Sequence, residues 1–422
     1  MRILVVGGGG REHAIVWALK KSEKVKEIYC APGNAGIAQL AECVPIGAMQ
    51  FDELVQFAKD TAIDLVFIGP DDPLAAGVVD AFEAAGIPVY GPNKAAAEIE
   101  GSKIFMKNLL HKYNIPTAKY ATFTDYEAAA DYLSKQAVPV VIKADGLAAG
   151  KGVTVAYSME EAQQALREAM VDKVFGEAGN QIVIEEFLEG QEMSILSFVD
   201  GETVRAMVPA QDHKPVFDDD KGPNTGGMGT YSPLPHIPQS IVDDAIKNII
   251  EPTAKAMVSE GRPFRGVLFA GLMITKGGTK TIEFNARLGD PETQVVFPRL
   301  KTDLLDIVLA TLNGRLDQLD IAWSDEAAVC VIAASEGYPG SYPKGRVIEG
   351  LDEAEAQGAL VFHAGTAEQD GRIVTNGGRV LGIVGRGRDI AEARARAYEA
   401  ASVIRFDGMH CRTDIAMKAL RG

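Results

Sequence analysis

The apolar and polar positions of the first hundred residues follow a strand-then-helix order. Residues 2–6 form a continuous apolar run typical of a buried parallel strand, and residues 11–21 have the spacing of an amphipathic helix. Two more units, each a helical pattern followed by a strand pattern, occupy residues 52–73 and 74–93. Alternating strands and helices predict an N-terminal doubly wound α/β domain, which we expect to cover residues 1–101.

After this domain the pattern changes to α+β. Residues 102–113 have the pattern of an amphipathic helix, and a strand, a helix, a hairpin and further strand pairs follow. From about Ala327, short strand patterns precede one long helical pattern, which predicts a compact C-terminal α+β domain over residues 326–422. That domain has no residues at catalytic spacing, so we expect it to support the site or to form a wall of the substrate cleft.

Composition and charge narrow the class of protein. The 422 residues include 42 basic and 58 acidic side chains, a net charge of −16, which argues against nucleic acid or an anionic membrane as a general partner. No apolar run approaches membrane-spanning length, and the N-terminus lacks a signal-peptide pattern. The 4 cysteines are scattered without metal-binding spacing. We therefore expect a soluble, cytoplasmic protein that binds neither nucleic acid nor membrane.

A predicted β-hairpin with a glycine-rich loop carries the first candidate chemistry. Its first strand contains Lys143, and its loop holds Gly146, Gly150 and Gly152 around Lys151. Glycines let backbone amides approach a ligand closely, and lysines on both sides suit phosphate. The loop is not a P-loop, because its spacing differs and a strand rather than a helix follows. A flexible, exposed hairpin loop is the alternative.

A glycine turn joins the first strand to the first helix, and such turns aim backbone amides at an anion. As a dinucleotide fingerprint it is incomplete, because Glu12 or His13 stands where the third glycine belongs. This argues against a nicotinamide cofactor, while a small anionic substrate and a purely structural turn both stay open. Asp71 and Asp72 follow a later strand at its carboxyl end, and there we expect turn formers beside two prolines.

Two polar segments lie farther along the chain. Residues 185–191 connect two predicted strands, where backbone groups could bind an adenine while Glu192 takes the ribose hydroxyls. A plain hairpin with solvated glutamates is the alternative. Residues 209–235 form a long, polar, glycine-rich loop, and loops of this length inside domains are usually functional. His213 lies near its start, and we expect it to face solvent.

The last candidate site is a predicted strand near residue 283. Glu283 and Asn285 are two residues apart, so they project from the same face of the strand. Side-by-side oxygen donors suit Mg²⁺, which keeps several waters and bridges nucleotide phosphates. Arg287 continues this face and could bind a substrate carboxylate in a bidentate manner. Asp290 and Pro291 then turn the chain.

The chain resembles the phosphoribosylamine–glycine ligase family of ATP-grasp enzymes in five motifs: VVGGGGREHA, VVIKADGLAAGKGV, IEEFLEGQEMS, AQDHKPVFDDDKGPNTGGMG and IEFNARLGDPETQ. The likeness covers essentially the whole chain. The last two motifs are specific to the family, and the hairpin motif marks the wider superfamily. One departure is Phe297, where a smaller aliphatic residue is expected. The resemblance implies a central ATP-grasp α+β domain over residues 102–325, with a small lid subdomain at about 119–189.

The resemblance also implies an activity: ATP-dependent joining of glycine to 5-phosphoribosylamine through a glycyl phosphate, by a monomer that uses Mg²⁺ or Mn²⁺. It implies nucleotide contacts from Lys103, Lys143, Gly150, Lys151, Gly152, Glu185, Glu186, Phe187, Leu188 and Glu192. It implies metal binding by Glu283 and Asn285, and catalytic roles for Lys143 and Arg287, with Arg287 on the glycine carboxylate. It implies substrate contacts from Gly9, Gly10, Arg11, Glu12, His13, Asp212, Lys214, Arg287, Asp290 and Pro291.

Two other functions compete with this interpretation. One is an ATP-grasp carboxylase or formyl-transferring ligase acting on a related ribonucleotide, and the DHKPVF and NARLGDPE segments argue against it. The other is a non-catalytic nucleotide sensor. A sensor has no need of a metal pair together with a carboxylate-binding arginine, so the retention of Lys143, Glu283, Asn285 and Arg287 disfavours it.

Overall fold

The structure, a computed structural model, describes residues 1–147 and 152–421. Its N-terminal elements are β1 Arg2–Gly7, α1 Gly10–Leu19, β2 Glu27–Pro32, β3 Glu42–Cys43, α2 Phe51–Asp60, β4 Leu65–Ile68, α3 Asp71–Ala76, α4 Val78–Ala84, β5 Val89–Tyr90 and α5 Lys94–Gly101. The strands form one parallel sheet in the order β3-β2-β1-β4-β5. Leu4 and Val6 pack in one core cluster and Ile3 and Val5 in another, so both faces of β1 are covered. The predicted doubly wound sheet is confirmed.

The next segment builds a four-stranded sheet in the region where a lid is expected, and we call it the lid sheet. Its elements are α6 Lys103–Lys112, β6 Tyr120–Phe123, α7 Tyr126–Leu133, β7 Val140–Ala144, β8 Val153–Ala156, α8 Met159–Met170 and β9 Ile182–Glu186. The four strands pair antiparallel in the order β6-β9-β7-β8. The predicted hairpin of β7 and β8 is therefore present, and Lys143 is paired with Val153 across it.

A second antiparallel sheet contacts the lid sheet through the side chains of Lys143 and Lys280. It has the order β11-β10-β16-β17 and consists of β10 Gln191–Asp200, β11 Thr203–Ala206, β16 Arg265–Thr275 and β17 Gly278–Asn285. The predicted helix after residue 238 is continuous and contains one π-helical turn: α9 Gln239–Ala245, the turn Ile246–Ile250 and α10 Glu251–Ser259. Two helices follow β17, α11 Thr293–Val296 and α12 Leu304–Leu312.

The expectation of a loop over residues 209–235 is wrong. The segment contains four short strands: β12 Gln211–Asp212, β13 Pro215–Phe217, β14 Lys221–Asn224 and β15 Gly229–Ser232. The pair of β13 and β14 is a small hairpin, whereas β12 and β15 join the sheet of the C-terminal region. Strands this short carry too few side chains to produce an alternating pattern.

The C-terminal region completes that sheet, with the order β12-β15-β18-β22-β19. Its elements are β18 Ala327–Ala334, α13 Leu351–Ala356, β19 Leu360–His363, β20 Thr366–Gln369, β21 Arg372–Thr375, β22 Arg379–Gly387, α14 Ile390–Val403 and α15 Met417–Arg421. The α+β character predicted for this region is confirmed. None of the helices in the described ranges combines the length and the apolarity that a membrane span requires.

Candidate active site

Two lysines and one glutamate are buried together where the lid sheet meets α6. Lys143 lies on β7, Glu185 on β9 and Lys107 on α6. The Lys143 Nζ is 3.1 Å from Glu185 Oε1, and the Lys107 Nζ is 3.1 Å from Glu185 Oε2. The Lys107 Nζ also donates a hydrogen bond of 2.7 Å to Thr117 Oγ1. Burial lowers the pKa of Lys107 to about 8, against the opposing effect of the Glu185 carboxylate.

Lys143 also connects the lid to the second sheet. Its ammonium group donates a hydrogen bond of 3.3 Å to the carbonyl oxygen of Ile282, the residue before Glu283. The predicted phosphate-binding lysine therefore contacts the predicted metal-binding strand, and this junction of the two sheets is called the cleft below. This juxtaposition is the geometric condition on which the ATP-grasp interpretation depends.

A β-bulge in β17 decides which side chains face that cleft. The register between β16 and β17 shifts at Ile282, which is the extra residue. Before the bulge Thr281 is buried, and after it Phe284 is buried, so the inward positions change from odd to even numbers. Glu283 and Asn285 are therefore half-buried on the other face. An uninterrupted strand would have placed them on the same side as Thr281.

The donor set fits a hard cation that a nucleotide also binds. Glu283 supplies a carboxylate and Asn285 an amide oxygen, and Mg²⁺ typically takes one or two protein carboxylates plus phosphate oxygens and waters. Within the described ranges, no group of three or more His, Cys, Asp or Glu residues could hold a metal alone. A set of two oxygen donors leaves coordination positions for phosphate oxygens and waters.

Lys103 lies at the N-terminus of α6, on the same cleft. Its Nζ donates a hydrogen bond of 2.6 Å to the carbonyl oxygen of Gly146 in the glycine loop. Burial lowers the pKa of Lys103, the Glu283 carboxylate opposes this effect, and the Lys143 ammonium adds to it. Lys103 is thus part of the charged cluster rather than a solvated surface lysine.

The glycine loop is described only in part. Gly150 and Lys151 lie outside the described residues. At the edge of the loop, the carbonyl oxygen of Gly152 accepts a hydrogen bond of 2.8 Å from the Ala144 amide. This bond continues the pairing of β7 with β8.

The segment after β9 crosses from one sheet to the other. β9 pairs within the lid sheet and β10 within the second sheet, so a plain hairpin of the two strands is excluded. Glu185 and Glu186 end β9 instead of lying in the connection. The Glu186 Oε1 accepts hydrogen bonds from Lys280 Nζ at 2.9 Å and from the Lys119 amide at 3.0 Å. Phe187 and Leu188 are half-buried in the connection.

Arg287 already has acidic neighbours in this structure. Its Nη2 lies 3.1 Å from Glu100 Oε1 and 3.9 Å from Asp71 Oδ2. Burial raises the pKa of Glu100 to about 7, although Arg287 lowers it and Asp71 raises it. The Arg287 Nε is buried and has no hydrogen-bond partner within the described residues. The Nε–H of the guanidinium thus has no acceptor among the described residues. Asp71 is in the first turn of α3 rather than in a turn between prolines.

In this structure the Asp290 carboxylate lies at the glycine turn. The Asp290 carboxylate accepts hydrogen bonds from the Arg11 amide at 3.4 Å and from Gln294 Nε2 at 2.7 Å. A Cβ added at Gly10 would lie 2.6 Å from Gln294 Nε2, so a larger residue there would displace the Gln294 amide. The Asp290 pKa is lowered because the nearby arginines, Arg379 first, outweigh the effect of burial.

Arg11 and Glu12 are buried and bonded to each other. The Arg11 Nε donates a hydrogen bond of 2.6 Å to Glu12 Oε1, and the Gly9 amide donates one of 2.7 Å to Glu12 Oε2. His13 is buried as well, and its Nδ1 accepts a hydrogen bond of 2.8 Å from the His363 amide. Burial, and to a lesser degree His363, lowers the pKa of His13 to about 3, so the ring is neutral at pH 7. In this structure these groups make internal contacts.

The expectation that His213 faces solvent is wrong. His213 is 1% exposed, and its Nε2 accepts a hydrogen bond of 3.4 Å from the Ala416 amide. Asp212 and Lys214, on either side of it, form an ion pair in which the Asp212 carboxylate is buried. Glu192, by contrast, is exposed on β10. The pKa of Lys214 is raised: burial lowers it, but the carboxylates around it, Asp212 first, raise it more.

Three buried groups of the site have no counterpart in the sequence-based prediction: Lys107, Glu100 and Glu292. Of these three, only Lys107 could have been found from the sequence. It lies four residues after Lys103, and this spacing places both lysines on one face of α6. A cleft of about 900 Å³ lies elsewhere, between the lid and the C-terminal region, where Val153, Phe217 and Tyr338 line it. None of the charged residues described above lines that cleft.

Glu185→Gln is expected to destabilise the fold by roughly 3–5 kcal/mol, because it leaves two buried ammonium groups without their carboxylate. The matched control is Glu186→Gln in the same strand, whose partner Lys280 is partly exposed, with an expected cost of about 0–1 kcal/mol. Urea unfolding followed by circular dichroism measures both free energies. Equal losses for the two variants would contradict the buried triad of Lys107, Glu185 and Lys143.

Comparison with known proteins gives a consistent family assignment. The chain matches the family descriptions "Phosphoribosylglycinamide synthetase, N domain" over residues 1–100, "Phosphoribosylglycinamide synthetase, ATP-grasp (A) domain" over residues 101–293 and "Phosphoribosylglycinamide synthetase, C domain" over residues 328–418. It is 52% identical to a phosphoribosylamine–glycine ligase of Caldanaerobacter subterraneus over 99% of both chains. It is also 52% identical to a chloroplastic phosphoribosylamine–glycine ligase of Arabidopsis thaliana, over 97% of this chain and 79% of that protein.

Solved structures agree. A crystal structure of the Thermotoga maritima phosphoribosylamine–glycine ligase superposes with a TM-score of 0.87 at 35% identity, covering 98% of this chain and 100% of that one. A biotin carboxylase domain from Hydrogenobacter thermophilus superposes with a TM-score of 0.74 at 16% identity over 97% and 91% of the two chains, which shows a shared fold alone. With matches over all three regions, the chain belongs to the phosphoribosylglycinamide synthetase family of ATP-grasp proteins.

Proposed function

We propose that this chain is an ATP-dependent carbon–nitrogen ligase of purine biosynthesis that joins glycine to 5-phosphoribosylamine, with glycinamide ribonucleotide, ADP and phosphate as products. The observation that carries the proposal is the hydrogen bond of 3.3 Å from Lys143 Nζ to the Ile282 carbonyl, beside Glu283. It supports a single cleft for the nucleotide phosphates and the metal. The relatives' printed name, phosphoribosylamine–glycine ligase, supports the two substrates.

The reaction needs an activated carboxylate, since a free carboxylate is a poor acyl donor. A glycine oxygen attacks the γ-phosphorus of ATP, the bond to the β–γ bridging oxygen breaks, and ADP leaves. The phosphoribosylamine nitrogen then attacks the glycyl carbonyl carbon, the bond to phosphate breaks, and the nitrogen loses a proton. Phosphoryl transfer depends mainly on positioning and on charge neutralisation.

The side chains of the cleft would have different roles in this reaction, according to their charge and donor atoms. Lys103 and Lys143 would neutralise phosphate charge, and Glu283 and Asn285 would hold Mg²⁺ or Mn²⁺. When bound, the metal would screen phosphate charge during transfer. Arg287 would orient the glycine carboxylate through its unpaired Nε–H face. The remaining assignments to nucleotide and substrates are part of the same proposal: Gly150, Lys151, Gly152, Glu185 to Leu188 and Glu192 for the nucleotide, and residues 9–13, Asp212, Lys214, Asp290 and Pro291 for phosphoribosylamine and glycine.

Three further properties belong to the proposal. We propose that the chain acts as a monomer in the cytoplasm, and that it divides into domains at residues 101 and 325, with a lid subdomain at about 119–189. Two strands from residues 211–232 pair into the C-terminal sheet, so the last two domains would share a sheet.

The test is ADP release measured with ATP and Mg²⁺, with glycine and 5-phosphoribosylamine added singly and then together. We expect release to require glycine and to be fast only when both substrates are present. Bicarbonate and formate in place of glycine are the matched negative controls. Release that follows bicarbonate or formate and ignores glycine would overturn the proposed substrates.

A further inference from the structure

The C-terminal segment, residues 410–418, contacts the small hairpin of β13 and β14 through a buried arginine. Arg412 is 0% exposed. Its Nε and Nη2 donate hydrogen bonds of 2.8 and 2.7 Å to the two carboxylate oxygens of Asp414, and its Nη2 also lies 3.1 Å from Asp220 Oδ1. Its Nη1 donates a hydrogen bond of 3.0 Å to the carbonyl oxygen of Pro215. Each nitrogen of the guanidinium thus has an acceptor within the protein, which favours a positioning role over ligand binding.

The hairpin has little stability of its own. All residues of β14 are exposed, and Phe217 at the end of β13 is 52% exposed. Among the strand residues of the hairpin, Val216 alone is buried. A two-stranded hairpin with so small a core is at best marginally stable in water. Its conformation therefore depends on contacts from outside the hairpin.

The turn of the hairpin is held by the same C-terminal segment. Asp219 and Asp220 have φ angles of +58° and +53°, a left-handed conformation that is uncommon outside glycine. Such conformations persist only where the surrounding structure fixes them. Here the Thr413 amide donates a hydrogen bond of 2.8 Å to Asp218 Oδ1, and the Lys418 Nζ lies 2.7 Å from Asp220 Oδ2. The C-terminal segment thus supplies contacts that fix the turn.

The other end of the hairpin is continuous with two of the proposed substrate residues. Pro215, whose carbonyl oxygen accepts from Arg412, directly follows Lys214, and Lys214 forms an ion pair with Asp212. The Lys214 carbonyl oxygen accepts hydrogen bonds of 2.8 Å from the Thr225 amide and 2.7 Å from Thr225 Oγ1. The backbone at residues 214 and 215 is therefore fixed from two sides, by the chain after β14 and by Arg412.

We propose that Arg412 is a positioning residue of the ligase, which holds the hairpin so that Asp212 and Lys214 keep the geometry in which they bind 5-phosphoribosylamine. The inference rests on the proposed function and deepens it, because it makes the affinity for this substrate depend on the C-terminal segment. Lysine at position 412 would keep the positive charge, but an ammonium group cannot reproduce the planar, bidentate contacts of a guanidinium. The arrangement therefore depends on the shape of the arginine as well as on its charge.

The test compares Arg412→Lys with the wild-type enzyme in ADP release at saturating glycine. We expect KM for 5-phosphoribosylamine to rise by roughly 10–100-fold, because a misplacement of about 1 Å suffices for an effect of this size, while KM for ATP stays within about 2-fold. The matched control is Arg346→Lys. Arg346 pairs with Asp407 at 3.0 Å in the same C-terminal region, but both side chains are exposed, so this substitution should change neither KM.

A second variant, Asp220→Asn, tests the same contact from the hairpin and decides the question even if Arg412→Lys does not fold. The Asp220 side chain is 38% exposed, so the fold should tolerate the change. We expect KM for 5-phosphoribosylamine to rise by roughly 2–5-fold, the size of one partly exposed ion pair.

Two results would overturn the assignment. One is an unchanged KM for 5-phosphoribosylamine in either folded variant. The other is an equal rise of KM for 5-phosphoribosylamine and for ATP, which indicates a general loss of structure. Absence of ADP release that depends on glycine and 5-phosphoribosylamine in the wild-type enzyme is a different result, since it refutes the proposed function itself.

Discussion

Glu283→Ala is expected to lower glycine-dependent ADP release by about 10²–10³-fold while the protein stays folded. Glu283 is the only carboxylate of the two-residue donor set, so Asn285 alone would hold the metal weakly. Its side chain is half-buried on β17, and no residue in the described ranges forms an ion pair with it. The loss should therefore appear in activity and not in stability. Steady-state ADP release at saturating ATP and glycine measures it, with circular dichroism and Tm as the test of folding.

The matched control for this prediction is Glu202→Ala. Glu202 is an exposed glutamate in the turn between β10 and β11, in the same sheet as Glu283, and its removal should leave activity unchanged. If Glu283 binds the metal, its removal should also change the Mg²⁺ dependence of activity. The Mg²⁺ concentration for half-maximal activity should rise in Glu283→Ala and stay constant in Glu202→Ala. Undiminished ADP release by Glu283→Ala would remove Glu283 from the metal site.

The strand that carries Glu283 shows how far the local sequence pattern predicts the orientation of side chains. The spacing of Glu283 and Asn285 predicts one shared face, and the structure confirms it. The local sequence does not predict the bulge at Ile282, because a bulge depends on how β17 pairs with β16. Without the bulge, Glu283 and Asn285 would still share one face of β17, but that face would be the one that carries Thr281.

Contacts between distant segments are what the sequence could not supply. The pattern around His213 is polar, yet the residue is 1% exposed, because Tyr231 and Ala416, which are distant in the chain, pack against its ring. Lys107 looks like any helical lysine, and it becomes buried only because Glu185, 78 residues later in the chain, pairs with it. Burial of a charge is decided by its partner, and a local pattern contains no information on that partner.

The glycine turn after β1 shows a second kind of limit. Its composition suits either a small anionic substrate or a structural turn at the start of α1, and in this structure the carboxylate of Asp290 from the central region lies there. A helix N-terminus binds any suitably placed negative charge, whether from a ligand or from the protein. Local sequence therefore predicts the kind of group at the turn without telling a substrate phosphate from a side chain.

Lys143→Met is expected to abolish most ADP release, by roughly 10²–10³-fold, with a smaller effect on stability than Glu185→Gln. In this variant Glu185 keeps Lys107 as a partner at 3.1 Å, so one carboxylate and one ammonium remain paired in the interior. The substitution removes only the ammonium group that lies between the lid and the Ile282 carbonyl. Loss of activity in a stable protein would assign the phosphate role to this charge. Steady-state ADP release, binding of a fluorescent ATP analogue and urea unfolding together measure the effect.

The comparison with Lys119→Met makes the Lys143 prediction specific. Lys119 is an exposed lysine of the lid segment, and its substitution should leave ATP affinity and turnover unchanged. If Lys143→Met bound the ATP analogue and turned over like the wild-type enzyme, the ammonium group would serve only to balance Glu185. If it lost activity and stability together, the triad would be structural first. The triad contains two ammonium groups and one carboxylate, and the second positive charge is in excess of what Glu185 requires. That excess charge, held against the strand that bears Glu283, is what a triphosphate would neutralise.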